Sequence, residues 1–234
     1  GDDTSGKGND WTTANLATYD KTLDSPTFGS EGSANFPLWS PLIKGAVNLS
    51  ENNTRFSGAT ASRTAMTSWA IPTGTKYYVE CLVLQVANSG IVFGVANPDI
   101  DLPTSIEADS SMNGFLFVGY SGSEWRTNAL ENGVRQGWSG NVGLTSARVM
   151  AITIDRVANE VKCYLDNSLI TSGTVSISAT QEYHIVCSKS SGAHPAVHMN
   201  INAGHDSTGA GDFSAGTATD ENGFGSFQHA PPAG

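Results

Sequence analysis

The side chains most able to do chemistry are thinly spread. His194 and His198 stand four apart beside Pro195. On a helix that spacing would set both rings on one face for a metal ion. The run through residues 196–201 reads instead as a strand, where residues four apart share a face but lie ~13 Å from each other. Two rings so placed cannot chelate one ion, so ordinary surface or groove histidines are expected. His205 and Asp206 lie in a polar stretch with no nearby pair to complete a site. No metal and no cofactor is expected.

Nucleophilic catalysis has no visible apparatus. The sequence contains no Gly-x-Ser-x-Gly, the motif that places a serine on a strand-to-helix elbow. Gly119-Tyr120-Ser121-Gly122 is a turn after a strand, and Ser123 breaks the pattern. Glycoside hydrolysis needs two placed carboxylates, yet most of the 22 acidic residues fall in loops or turns. Asp99, Asp101, Glu107 and Asp109 crowd one loop. That is a solvated acidic loop or, alternatively, a calcium site, because hard cations take oxygen ligands. Asp220-Glu221-Asn222-Gly223 lacks full EF-hand spacing, and an Asn-Gly turn competes with calcium there. A protein without enzymatic activity is expected.

Aromatic residues are better placed for recognition. Tyr120, Trp125 and Trp138 are expected in or near loops between core strands. Trp125-Arg126-Thr127-Asn128 sets a ring among polar side chains, a mixture suited to stacking on sugar rings. Tyr120, Trp125, Arg126 and Trp138 form the candidate ligand patch. Half-buried aromatics closing the end of a sandwich are the competing reading.

These residues need a scaffold, and the composition points to strands. The chain has 234 residues, 26 of them glycine, and only 15% are charged. Such a turn-rich, hydroxyl-rich chain favours many short strands, and its length suits one large β domain. The net charge of −10 excludes a nucleic-acid backbone as partner, since that needs clustered Lys and Arg. It gives no help at an anionic membrane. No apolar run is long enough to insert in a bilayer, and no signal peptide is evident. Cys81, Cys163 and Cys187 sit far apart in apolar runs and read as small buried hydrophobes. One disulfide plus a free thiol is the alternative. The abrupt ends read as cut points in something longer or as processed termini.

Along the chain, residues 1–35 are a polar lead-in arm. Strands are expected at 46–50, 54–58, 63–71, 77–86, 91–96 and 115–120, with 77–86 and 91–96 forming a hairpin across Asn88-Ser89-Gly90. The clearest hairpin joins 149–154 to 160–165. Met150, Ile152 and Ile154 alternate on one strand and Val161, Cys163 and Leu165 on the other, so these six should face the core. Asp166-Asn167 turns into 168–170, and 183–187 and 196–201 are the last strands. No segment carries sustained helical periodicity. Turn signals every ~8–12 residues favour a sandwich. Residues 203–234 form a Gly-rich tail, anchored by Phe213, Phe224 and Phe227, that wraps the sandwich or a neighbouring subunit.

Several motifs, in order, resemble SPRY modules. Val149-Met150-Ala151-Ile152-Thr153-Ile154-Asp155 and Val161-Lys162-Cys163-Tyr164-Leu165-Asp166-Asn167 are similar to the central hairpin of that family. Lys76-Tyr77-Tyr78-Val79-Glu80 resembles its "aromatic, aromatic, x, Glu" strand. Gly94-Val95-Ala96 and Pro195-Ala196-Val197 match two later strands. Cys163 stands where an aromatic is usual and Ser168 replaces a glycine, which weakens any transfer of a ligand groove. The resemblance covers roughly residues 44–202. It implies an all-β, antiparallel β-sandwich of the SPRY/concanavalin-like jelly-roll type over 36–202, with the arm before it and the tail of 203–234 after it.

The flanks, Gly6-Lys7-Gly8-Asn9-Asp10-Trp11, Asp24-Ser25-Pro26-Thr27 and Asp220-Glu221-Asn222-Gly223-Phe224-Gly225-Ser226-Phe227, resemble segments of bacteriophage structural and fibre proteins. That implies a virion location, as part of a fibre, spike or decoration protein on the surface or an appendage. Other virion subunits would be partners, a homotrimer among the arrangements. A lectin-like module gripping host cell-surface glycan is the alternative.

Overall fold

A computed structural model describes residues 36–44, 47–50, 53–58, 63–83, 91–98, 114–120, 124–131, 134–142, 148–169, 175–189, 197–204 and 216–233. The first 35 residues, Phe213, and the acidic loop holding Asp99, Asp101, Glu107 and Asp109 lie outside them. So do His194, His205 and Asp206.

The described elements are all strands, arranged in two antiparallel sheets. One sheet holds β1 (Trp39–Lys44), β4 (Arg63–Thr67), β14 (His184–Lys189), β6 (Ile91–Ala96), β7 (Gly114–Tyr120), β8 (Glu124–Glu131) and β9 (Val134–Val142), in that order. The other runs β12 (Ser168–Leu169), β11 (Glu160–Leu165), β10 (Arg148–Asp155), β5 (Lys76–Val83), β15 (Val197–Asn202), β3 (Arg55–Gly58) and β2 (Asn48–Ser50). A short β13 (Val175–Ser176) also pairs with β11. No helix of the described residues is long and apolar enough to cross a membrane.

Strand alternation sends one side chain in two toward the other sheet. Val79, Cys81 and Val83 on β5 meet Phe93 and Val95 on β6 and Ile185 and Cys187 on β14 in a single core. The expected central hairpin forms in the expected register, Met150 opposite Leu165 and Ile154 opposite Val161. Its six alternating residues are all buried in that core. Asp166 and Asn167 both take positive φ (45° and 66°) in the turn that follows, the conformation a two-residue hairpin demands. The three cysteines are buried free thiols, and burial pushes all three thiols well up from their ordinary value.

The predicted hairpin between 77–86 and 91–96 does not form. β5 pairs with β10 and β15, whereas β6 pairs with β14 and β7 in the opposite sheet. The chain crosses from one sheet to the other between them, so their apolar faces oppose each other across the core rather than lying side by side. The expected strand at 63–71 ends at Thr67. Two strands, β8 and β9, occupy a stretch where none was expected. Their sequences carry no apolar alternation, so the pattern that marks a core strand is missing there.

On β4, β6 and β14 the residues pointing away from the core are buried as well: Thr64, Met66, Val92, Val186 and Ser188 are each 0% exposed. Thr64 donates to Ser188 across that face at 2.9 Å, which satisfies two hydroxyls that would otherwise be costly to bury.

Candidate functional site

The outer face of the eight-stranded sheet carries polar residues in cross-strand rows. Register sets Tyr78, Thr153 and Lys162 in one row, and Lys76, Asp155 and Glu160 in the next. A third row runs Asn202, Glu80, Ala151 and Tyr164. Each row follows from strand alternation: the neighbours of Val79, Ile152 and Cys163 must face outward.

The C-terminal segment 216–233 lies across this face as a strap. It is a small hairpin in its own right, with Ala218 and Phe227 exchanging backbone hydrogen bonds at 3.1 and 2.8 Å. Asp220 closes its tip by accepting from the amides of Asn222 and Phe224, with Gly223 at φ 82°. Asp220-Glu221-Asn222-Gly223 is thus a turn whose acidic side chain serves the backbone. Among the described residues no group of three or more His, Cys, Asp or Glu could hold a metal ion.

One carboxylate fastens the strap. Glu80 is 0% exposed, and each of its oxygens accepts two hydrogen bonds. Oε1 accepts from the His229 amide at 2.8 Å and the Tyr78 hydroxyl at 3.2 Å. Oε2 accepts from the Gln228 amide at 2.9 Å and Asn202 Nδ2 at 3.1 Å. Burial raises the Glu80 pKa, opposed by the Gln228 and His229 amides and the Tyr78 hydroxyl. Burial, then the neighbouring Glu80 charge, pushes the Tyr78 phenol up, so Tyr78 remains a donor. Asn202 also donates to the Ser226 carbonyl at 2.9 Å, and the Ser226 amide donates to the Gly204 carbonyl at 2.9 Å. Phe227 is buried and meets the Tyr78 ring edge-on, centroids 5.3 Å apart. Its ring fills a notch that exists because Gly204 and Gly225 lack side chains. Phe227 is therefore an anchor as expected. Phe224 is not: it stands 49% exposed at the hairpin tip, where the turn needs its amide and not its ring.

Between strap and sheet runs a groove of about 420 Å³. The sheet contributes Tyr78, Thr153, Lys162 and Tyr164, and the strap contributes Glu221, Asn222 and Phe227, with Pro231 and Pro232 beyond. Its size falls in the range of small-ligand clefts. At one end Lys76 pairs with Asp155 at 3.3 Å. The Ala158 and Val157 amides and Lys76 hold the Asp155 carboxyl below its usual value. Lys162 has no ion pair among the described residues. Aromatic rings, hydroxyls and the Lys162 ammonium can grip a polyhydroxylated ligand or a neighbouring chain by stacking and hydrogen bonding.

The sequence-predicted patch lies elsewhere, on the outer strands of the other sheet. Tyr120 ends β7, Trp125 and Arg126 open β8, and Trp138 lies in the middle of β9. They were expected in or near loops: Tyr120 and Trp125 flank residues 121–123, while Trp138 stands inside a strand where none was expected. Tyr120 pairs with Glu124, Arg126 with Val118 and Trp138 with Asn128, while Trp125 pairs with Gly119 and falls in the alternate register set. The side chains of all four lie outside the described residues. The groove escaped the sequence reading because its strap and sheet walls are more than 50 residues apart in the chain. One signal was present: Glu80 is an acid in the middle of an apolar strand.

No protein-family model matches the chain, and no curated protein matches it in sequence. Solved structures do match in shape. The TRIM65 PSpry domain superposes with a TM-score of 0.51 at 12% identity, covering 70% of this chain and 90% of that one. The SPRY domain of human HERC1 gives 0.50 at 13% identity, covering 70% and 96%. The carbohydrate recognition domain of Emp46p, in its potassium-bound form, gives 0.48 at 11% identity, covering 68% and 86%. The two-sheet architecture, the central hairpin in register and the SPRY neighbours together establish a SPRY/concanavalin-like β-sandwich.

Proposed function

We propose that this chain is a non-enzymatic structural module of a phage virion, part of a fibre, spike or decoration protein, that works by binding. The observation that carries the binding role is the groove between strap and sheet, with its Tyr78, Tyr164 and Phe227 rings beside Thr153 and Lys162. The absence of a catalytic role is supported by Glu80. Among the described residues, the most deeply buried carboxylate spends all four of its hydrogen bonds on the fold itself, and none on a position a substrate could occupy. Virion location is supported by the resemblance of the flanking segments to phage structural proteins. Neighbouring virion subunits are then its partners, with a homotrimer among the arrangements.

A second reading, attachment to host cell-surface glycan, is favoured by the mixture of rings, hydroxyls and the Lys162 ammonium in the groove. Adsorption of the labelled, folded protein to host cells separates the two. Saturable adsorption that blocks infection and falls with Tyr164→Ala supports glycan attachment through the groove. Loss with Trp125→Ala instead would move the site to the β7–β9 patch. No adsorption, with antibody against the protein decorating the particle in electron micrographs, supports the structural role. Particles that carry none of this protein would sink both readings.

A further inference from the structure

We propose that residues 216–233 dock and undock as a unit, with Glu80 as the latch, so that one wall of the groove is assembled by a reversible step separate from folding of the sandwich. The inference rests on the groove being the working site.

Three observations carry it. First, the sandwich core is complete without the strap: none of residues 216–233 belongs to the central cluster of buried side chains. Second, the strap has hydrogen bonds of its own that do not involve the sheet. The Ala218–Phe227 bonds, the Asp220–Phe224 bond and the Asp220 side-chain bonds are all internal to it. Third, the latch is a charge. Docking strips water from Glu80 and adds two hydrogen bonds, from the Gln228 and His229 amides, to the two that Tyr78 and Asn202 supply from the sheet, and undocking returns the water. Desolvation and hydrogen bonding of a buried carboxylate largely offset each other, so docking is close to balanced compared with unfolding the core. Segments that open below the global unfolding free energy are where binding sites commonly regulate themselves.

The strap supplies Glu221, Asn222 and Phe227 to the groove. A ligand touching both walls would therefore hold the strap down, and a docked strap would bind it more tightly, the two effects being reciprocal.

Two ligand-free measurements test this on the whole chain. In native-state hydrogen exchange, the amides of Gln228 and His229 should exchange about tenfold or more faster than those of Ile152 and Cys163 in the central hairpin. Glu80→Gln should widen that gap while leaving the hairpin amides unchanged. Gln228→Pro removes one latch donor from the strap alone and leaves the sandwich sequence intact. With spin labels at Glu221→Cys and Lys162→Cys, the native latch should give one short distance across the groove. Gln228→Pro should add a broad, longer population. Strap and hairpin amides exchanging at one common rate, or a distance distribution indifferent to Gln228→Pro, would overturn the proposal. Neither readout involves a ligand, so failed adsorption to cells leaves it standing, and its failure leaves the groove as a permanent site.

Discussion

Arg156 offers a prediction in which the sign matters more than the size. It sits in the turn of the central hairpin and is 3% exposed, with no carboxylate among its partners in the described residues. Its guanidinium donates to three carbonyls, Ser178 at 3.1 Å, Ala179 at 3.4 Å and Gln181 at 3.0 Å. It also lies 5.0 Å above the Tyr183 ring. The fork thereby ties the 178–183 segment to the hairpin. Arg156→Met keeps the apolar stem and removes the charge. It loses two good charge-assisted bonds, about 1.5–3 kcal/mol each, and a ring contact of about 1 kcal/mol. Against this, a buried cation no longer has to be desolvated, a relief of several kcal/mol, and the freed carbonyls lie on an exposed loop where water reaches them. The net cost is about 2 kcal/mol, a fall in Tm of about 4–8 °C for a chain of this size. Arg156→Lys should be worse. An ammonium cannot span three carbonyls, so part of the desolvation cost stays without its compensation. Thermal unfolding followed by circular dichroism on the three proteins gives the ranking. A lysine variant as stable as wild type, or more stable than the methionine variant, would refute the account of Arg156 as a fork-shaped tie.

Three further outcomes are expected. Ile152→Ala, at 0% exposure in the middle of the core, should cost about 2–5 kcal/mol in urea unfolding. Asn167 holds φ 66°, so Asn167→Gly should be nearly neutral, whereas Asn167→Val should cost about 1–2 kcal/mol by the same assay. Because burial raises the Glu80 pKa, the folded state holds this proton more tightly than the unfolded chain. Its contribution to stability is present in full below the ordinary carboxylate pKa and is lost as pH rises through the folded value. The Tm advantage of wild type over Glu80→Gln should therefore widen as the solution is acidified toward pH ~4.5, and a gap that narrows in acid would contradict it.

The central hairpin was fully legible because its local signals agree. Apolar alternation in 150–154 and 161–165, the turn Asp155-Arg156-Val157-Ala158-Asn159 with Asn159 at φ 57°, and strand length all select one register, and that register is observed. The pairing of 77–86 with 91–96 failed for want of such agreement. Both runs have apolar faces, but proximity in sequence does not say whether two strands share a sheet or face each other across a core. β8 and β9 went unread because their polar composition hides them from any search for a buried face. Yet Asn132-Gly133 sits between Glu131 and Val134, and that dipeptide is the strongest short hairpin signal a sequence can carry. The groove was illegible for another reason. Its walls meet through Glu80 and residues 226–229, and no local pattern connects an acid on one strand with backbone amides 148 and 149 residues later.

The notch around Phe227 also bears on how this sequence can vary. A methyl group added at Gly204 or Gly225 would come within 2.9 or 2.6 Å of the phenyl ring, and one at Gly216 within 2.6 Å of the Phe227 backbone. Three glycines spread between positions 204 and 225 thus answer to a single side chain and its peptide unit. Drift at Gly204 or Gly225 is closed while the ring stays, drift at Gly216 while the Phe227 backbone keeps its place, and the ring cannot shrink without leaving a void. Related sequences should keep all four positions or exchange them together, and the tail should therefore diverge in jumps while the loops around it diverge freely.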